Sequence, residues 1–268
     1  MPTADAVLTR EVIFAYLFGP PRVIRHEEVH PVHAALCREL TWEDISFQYK
    51  KTTRPTIPGE GPSGGFSVEM ARQEGRGGFR LALSGDGAEV PIKLLMSYVW
   101  PGSVESAKEA FKVSTQTVLN ELNGPWTLVL AEARIRAECA IRSPALKGSK
   151  FLRDTVVKLD PRFVDGMGGD PSFVAVTLEN EEALPPSAED PTANPRTELR
   201  VEVLRENPES LYMEGMRRWS QVPDSTTIAR GDEISMQIRT VDPDPSAYIA
   251  STYDMLRDCS RALRESKT

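Results

Sequence analysis

Long apolar runs are missing from this chain, and both cysteine and histidine are scarce. No apolar run approaches the roughly 20 residues that a membrane-spanning helix needs, and residues 1–10 lack the charged and then apolar pattern of a secretory leader. The three cysteines, Cys37, Cys139 and Cys259, are odd in number and far apart in the sequence. This usage is typical of reduced proteins, so we expect a cytoplasmic protein.

Neither sign of charge is in large excess. The 268 residues include 32 Lys and Arg against 39 Asp and Glu, for a formal net charge of −7. Apolar residues make up 40% and charged residues 26%, which is ordinary globular usage and excludes disorder of the chain as a whole. The length allows one large domain or two of roughly 130 residues each. The acidic balance argues against indiscriminate nucleic-acid binding, although a local basic face is compatible with it.

Motifs of the common catalytic classes are also missing. The chain has no Walker A motif, no G-x-S-x-G nucleophile elbow and no C-x-x-C pair. Residues 59–64 match G-x-G-x-x-G, but Pro55 and Pro58 precede them and a strand is expected to follow at Phe66. A dinucleotide site needs the reverse order, with a strand before the glycines and a helix after them, so we interpret this stretch as a loop.

Hydrophobic periodicity in the first half predicts alternating strands and helices. β-Branched and aromatic residues predict a strand at 11–18, and a short helix is expected at 31–40. Alternation of apolar and polar residues then predicts four strands, at 45–50, 66–73, 79–84 and 90–99. A long helix is expected from Ser103 to about Leu122, because Ser103 is a favourable N-cap and a Gly-Pro pair follows.

The second half repeats this order. We expect a strand at 126–141, a helix at 148–159, four strands at 173–178, 197–205, 210–219 and 233–241, and a final helix at 242–264. The chain therefore predicts two β-α-β4-α halves, 1–124 and 125–268, in an α+β fold. Joined edge to edge, they form one curved antiparallel sheet with two long helices packed on one face. The other face would be open, and an open sheet face is a binding surface rather than a catalytic cleft.

This order of elements resembles the half-unit of the TATA-box-binding-protein fold and of the related helix-grip proteins. The opening strand, the stretch from Tyr98 to Trp100 before a helix, and the ending at 242–263 also resemble an uncharacterised family of bacterial proteins of about this length. The resemblance implies a duplicated saddle and no particular activity, because a fold alone does not specify function.

All three histidines, His26, His30 and His33, lie within eight residues. The first two, with Glu27 between them, match H-E-x-x-H. In zinc peptidases this motif places two imidazoles on one helical face and a glutamate beside the bound water. Cys37 continues the spacing, because 26, 30, 33 and 37 are four, three and four positions apart. A helix through the whole segment would therefore align four candidate metal ligands.

Pro31 argues against such a helix. Inside a helix it removes a hydrogen bond and clashes with a carbonyl group, at a cost of about 3 kcal/mol, and it disfavours helical angles at His30. We therefore expect the helix to begin at Pro31 with His30 as its N-cap, and Cys37 to pack in the core. A metal site made by His33 and Cys37 with one of the other histidines remains an alternative.

One stretch of the second half is rich in arginine. Arg134, Arg136 and Arg142 share a parity, so a continuous strand would point them to one face of the sheet. Arg200 extends that face if its strand lies nearby. Such a face suits phosphate groups or an acidic partner. The alternative is a solvated sheet face on which neighbouring acids balance the arginines.

These patterns together predict a non-catalytic binding or interaction protein. We expect its open sheet face, or its loops, to bind a protein partner or a second copy of the chain, and we expect no membrane partner. The alternatives are a nucleic-acid-binding protein that uses the arginine face, and a zinc-dependent hydrolase at His26, Glu27 and His30. We expect no cofactor, with zinc at the histidine segment as the alternative.

Overall fold

One antiparallel sheet of nine strands organises the part of the chain that the structure describes. This computed structural model describes residues 7–53, 64–86, 91–124, 126–140, 151–158, 162, 174–180, 195–204, 206–207, 210–220 and 244–265. The strands are β1 (Leu8–Gly19), β2 (Ser46–Thr53), β3 (Gly64–Glu74), β4 (Gly77–Asp86), β5 (Ile92–Val99), β6 (Thr127–Ala140), β7 (Ala175–Glu179), β8 (Arg196–Val203) and β9 (Ser210–Ser220). Their order across the sheet is β2-β3-β4-β5-β1-β6-β9-β8-β7. The predicted α+β class with an antiparallel sheet is confirmed.

Three longer helices accompany the sheet within the described ranges: α1 (His26–Glu39), α2 (Val104–Leu122) and α3 (Ser246–Glu265). A short π-helical turn occupies Arg153–Val157, inside the helix expected at 148–159. The predicted strand at 233–241 lies outside the described residues. None of the helices described here is long and apolar enough to cross a membrane.

Helix α1 begins five residues earlier than the sequence predicts, because tertiary packing and a cap outweigh the cost of Pro31. The side chain of Glu28 accepts a hydrogen bond of 2.8 Å from the backbone N–H of Arg25, and this bond caps the first turn. Val29 and Val32 are completely buried and anchor the helix on both sides of the proline. Pro31 therefore lies within α1 and not at its start, and His30 is a helical residue instead of the N-cap.

Alternate side chains of the central strands form the core. Val12, Phe14, Tyr16 and Phe18 of β1 are completely buried. The register pairs Phe14 with Ala133 of β6, so a small residue of the neighbouring strand faces the same side. We call this side of the sheet the buried face.

Aromatic side chains of α2 and α3 pack against aromatic residues of the sheet. Tyr248 of α3 packs against Phe14 and Trp219, with ring centroids 6.0 and 4.8 Å away. Phe111 of α2 packs against Phe79, with centroids 6.1 Å apart. Aromatic pairs at these separations add to the stability that burial of their surface provides.

Candidate interaction face and histidine segment

The side of the sheet opposite the buried face, which we call the outer face, carries a row of charges that alternate in sign across four strands. The register pairs Glu11 of β1 with Arg136 of β6. It pairs Arg136 in turn with Glu214 of β9, and Glu214 with Arg200 of β8. Directly paired side chains of neighbouring strands have Cβ atoms about 5 Å apart, so each charge has an opposite charge beside it.

Two arginines of β6 lie between carboxylates. A terminal nitrogen of Arg136 lies 2.7 Å from Glu11, and its Nε atom lies 3.5 Å from Glu214. Arg134 lies 3.2 Å from Glu214 and 3.4 Å from Glu132. Glu214 therefore joins the two guanidinium groups, and its side chain is only 14% exposed. Ion pairs with this degree of burial are screened less by salt than fully exposed pairs.

Further ion pairs extend the network in both directions. Arg218 of β9 lies 2.5 Å from Glu132, and Arg200 of β8 lies 2.6 Å from Glu202. At the other end of β6, Arg10 contacts Glu138. We call the ion pairs on β1, β6, β9 and β8 the charge network.

Tyr212 of β9 also belongs to the charge network. Its hydroxyl donates to the carboxylate of Glu214 at 2.8 Å. Burial raises the pKa of Tyr212 well above its ordinary value, and the hydrogen bond and negative charge of Glu214 raise it further. Burial acts to lower the pKa of Arg136, but the carboxylates of Glu214 and Glu11 outweigh it, and the pKa is raised. Both groups are therefore held in their protonated forms.

The outer face of these four strands is electrically balanced. Six arginines and six glutamates lie on it or reach it: Arg10, Arg134, Arg136, Arg196, Arg200 and Arg218, with Glu11, Glu132, Glu138, Glu198, Glu202 and Glu214. Of the arginines that the sequence singles out, Arg134, Arg136 and Arg200 are on this face and paired, and Arg142 lies outside the described residues. Carboxylates therefore already neutralise all three side chains, which weakens their attraction for a phosphate group.

An apolar strip lies beside the charge network on the same face. It consists of the half-buried side chains Ile13, Leu17, Leu95, Val99 and Leu130, on β1, β5 and β6, with Ser97 between two of them on β5 and the exposed Lys93 at one end. Leu95 has small neighbours, since it pairs with Ala15 on one side and Ala82 on the other. Sequence reasoning did not single out this strip, because the strand pairing that assembles it joins residues far apart in the chain.

The histidine segment packs its rings against one aromatic side chain of β2, a strand at the end of the sheet. The centroids of His26, His30 and His33 lie 5.8, 5.2 and 5.4 Å from that of Phe47. Tyr49 packs on His26 at 5.2 Å. The early start of α1 thus places all three imidazoles along one side of the helix, over the edge of the sheet.

His33 and Cys37 do not form a nucleophile and base. Nε2 of His33 lies 2.8 Å from the carbonyl oxygen of Ile45, which only accepts, so this nitrogen carries a proton and donates. It therefore cannot accept a proton from Cys37, whose Sγ atom lies 3.7 Å away. Burial raises the pKa of the Cys37 thiol, which disfavours the nucleophilic thiolate. All three cysteines of the chain are free thiols.

His26 and His30 form a separate pair. Their ring centroids lie 4.4 Å apart with the planes nearly perpendicular, and both side chains are exposed. Glu27 is exposed as well, whereas Glu28 is held by Arg25 and by Arg22 at 3.0 Å. Within the described residues, no group of three or more His, Cys, Asp or Glu side chains is placed to hold a metal ion, and no cofactor is indicated.

Neither the protein-family models nor the curated proteins to which the chain was compared contain a match for it.

Proposed function

We propose that this chain is a non-catalytic binding protein whose outer sheet face binds a protein partner. The observation that carries the proposal is the apolar strip beside the charge network. Protein interfaces combine an apolar centre with a charged, partly solvated rim, and the strip and the network have that relationship. In this proposal α2 and α3 cover the buried face, which the contacts of Tyr248 and Phe111 support, and the outer face is open to the partner.

A protein partner suits this face better than nucleic acid. Phosphate backbones are bound by arginine and lysine side chains that neutralise them and release counterions. Arg134 and Arg136 each already have two carboxylate neighbours. A surface that carries positive and negative side chains can complement another protein surface of the same kind. It selects a partner whose charges of opposite sign lie at the matching positions.

The proposal includes a duplicated chain, with halves 1–124 and 125–268. The order of the strands supports it, because β1 and β6 are neighbours at the centre of the sheet. From that centre, β5-β4-β3 run outward on one side and β9-β8-β7 on the other, both in reverse chain order. Such halves make the outer face one continuous curved surface across their junction. A reduced, cytoplasmic setting stays a prediction.

Site-specific photo-cross-linking in the organism's own cells tests the proposal. The photoreactive residue p-benzoylphenylalanine replaces Ile13, at the centre of the strip. The matched control places it at Glu109, an exposed residue of α2. We expect a discrete protein adduct from position 13 and not from position 109. An adduct of twice the chain's mass identifies a second copy as the partner, and any other discrete mass identifies a different protein.

Two further variants separate binding from folding. Leu95→Arg in the strip should abolish the adduct at position 13, whereas Leu178→Arg, at a side chain of β7 that is 54% exposed, should not. Circular dichroism establishes that both variants are folded. The absence of a position-specific adduct refutes the proposal. Salt-sensitive binding of a mixed-sequence DNA duplex, lost on changing Arg134 and Arg136 to Ala, would establish the nucleic-acid alternative in its place.

A further inference from the structure

The paired imidazoles of His26 and His30 have a geometry that the proposed function does not use. The two residues are four positions apart, so they lie one above the other on the same side of α1. Both side chains are exposed, and their ring centroids are 4.4 Å apart. The pair lies on the helix at the β2 edge, away from the outer face.

The rings lie near the separation that one shared metal ion requires. A zinc–nitrogen bond is about 2.0–2.1 Å long, so two imidazoles bound to one tetrahedral ion have ring centres roughly 5 Å apart. The centroids of His26 and His30 are 4.4 Å apart, with the edge of one ring against the face of the other. Binding an ion therefore requires both side chains to rotate, so that the rings separate slightly and one nitrogen of each turns toward a common position.

Aromatic neighbours support the two rings and leave their nitrogens available. Phe47 packs against both rings, and Tyr49 packs against His26. Tyr49 is itself fixed, because its hydroxyl donates to the carbonyl oxygen of Ile24 at 3.1 Å. No described residue forms a hydrogen bond with a ring nitrogen of His26 or His30, whereas Nε2 of His33 is occupied by Ile45. Side chains that already pack against neighbours lose less conformational entropy when they bind than fully solvated ones.

We propose that His26 and His30 together bind one divalent transition-metal ion of the zinc, nickel and copper class, with water in the remaining positions. Imidazole suits these metals, and neutral imidazole is the form that binds. Two protein ligands make an exchangeable site rather than a resident cofactor. The site needs neither Glu27 nor Cys37, so it differs from a hydrolytic zinc centre, in which three protein ligands hold the ion.

Isothermal titration calorimetry on the full chain tests the site. The protein is first stripped with a chelator, and Zn²⁺ and Ni²⁺ are then titrated separately at neutral pH. We expect one ion per chain. His26→Gln and His30→Gln should each abolish the binding, whereas His33→Gln should retain it.

Thermal unfolding supplies a second measurement that does not depend on the heat of binding. Ni²⁺ should raise the melting temperature of the wild-type chain, because an ion bound across four positions of α1 stabilises the folded helix. It should leave the melting temperature of His26→Gln unchanged. The proposal is overturned if the wild-type chain binds neither Zn²⁺ nor Ni²⁺. It is also overturned if binding survives in the His26→Gln variant or in the His30→Gln variant.

Discussion

The guanidinium group of Arg136 lies 2.7 Å from the carboxylate of Glu11, although the two residues are 125 positions apart in the chain. Their strands, β1 and β6, are neighbours at the centre of the sheet, and the register pairs the two residues directly. This contact and the Arg10–Glu138 pair join β1 to β6. The charge network therefore spans the two central strands of the sheet through side chains as well as through backbone hydrogen bonds.

The Glu11–Arg136 pair should stabilise the fold more than an exposed pair of similar geometry. Their side chains are 18% and 35% exposed, against 40% and 54% for Glu69 and Arg80, which are 2.8 Å apart. Double-mutant cycles to Ala, measured by urea unfolding, should give a coupling of about 1 kcal/mol for the first pair and about 0–0.5 kcal/mol for the second. Equal couplings would show that burial of the network contributes nothing.

The raised pKa of Tyr212 predicts a loss of stability at alkaline pH. The unfolded chain releases the tyrosine proton at a pKa of about 10, whereas the folded chain retains it to higher pH. The folded state therefore holds more protons above pH about 10, and its stability falls as the pH rises through that range. Tyr212→Phe should show a smaller fall in unfolding free energy between pH about 9 and 11, measured by urea unfolding.

The Glu214→Gln variant separates the effect of burial on the pKa of Tyr212 from the effect of the Glu214 charge. Removing the negative charge should lower the pKa of Tyr212, while burial should keep it above the ordinary value. The difference in tyrosinate absorbance between each protein and its Tyr212→Phe counterpart isolates this residue during an alkaline titration. An unchanged pKa in Glu214→Gln would contradict the role assigned to the carboxylate.

Most strands were predictable because one side of each is buried and the other is not. The prediction of a strand at 90–99 corresponds to β5, Ile92–Val99, in which completely or almost completely buried side chains alternate with half-buried or exposed ones. The start of α1 was predicted wrongly at Pro31. The prediction considered only the free-energy cost of a proline inside a helix. Burial of Val29 and Val32 outweighs that cost, and this burial depends on the tertiary fold, which the local sequence does not specify.

The outer face was predictable in part. The shared parity of Arg134 and Arg136 correctly indicates that they lie on the same face. Glu132 is on the same strand as both arginines, but Glu214 and Glu11 come from strands 80 and 125 positions away. The register that brings distant strands together cannot be obtained from a single sequence. One local signal was present, since Arg196, Glu198, Arg200 and Glu202 alternate in sign at every second position.

Gly215 should resist substitution, because α3 packs directly on β9 at this residue. An added Cβ would lie 2.5 Å from the terminal carbon of Met255 and 2.8 Å from Cγ of Leu256. Leu256 is completely buried and has little room to move. Gly215→Ala should therefore cost about 1–3 kcal/mol in unfolding free energy. In a Leu256→Ala background the same change should cost less, and an equal cost in both backgrounds would contradict the steric explanation.

Pro31→Ala should stabilise the protein, because Pro31 is an exposed residue inside α1. Alanine restores the backbone hydrogen bond to the carbonyl of Glu27 and removes the clash of the proline ring. The gain should be about 1–2 kcal/mol, less than the full helix-interior cost, since proline also restricts the unfolded chain. Ala34→Gly, at an exposed position of the same helix, should lose about 1 kcal/mol and calibrates the measurement. If α1 instead began at Pro31, proline would be favourable there, and Pro31→Ala would leave the melting temperature unchanged or lower it.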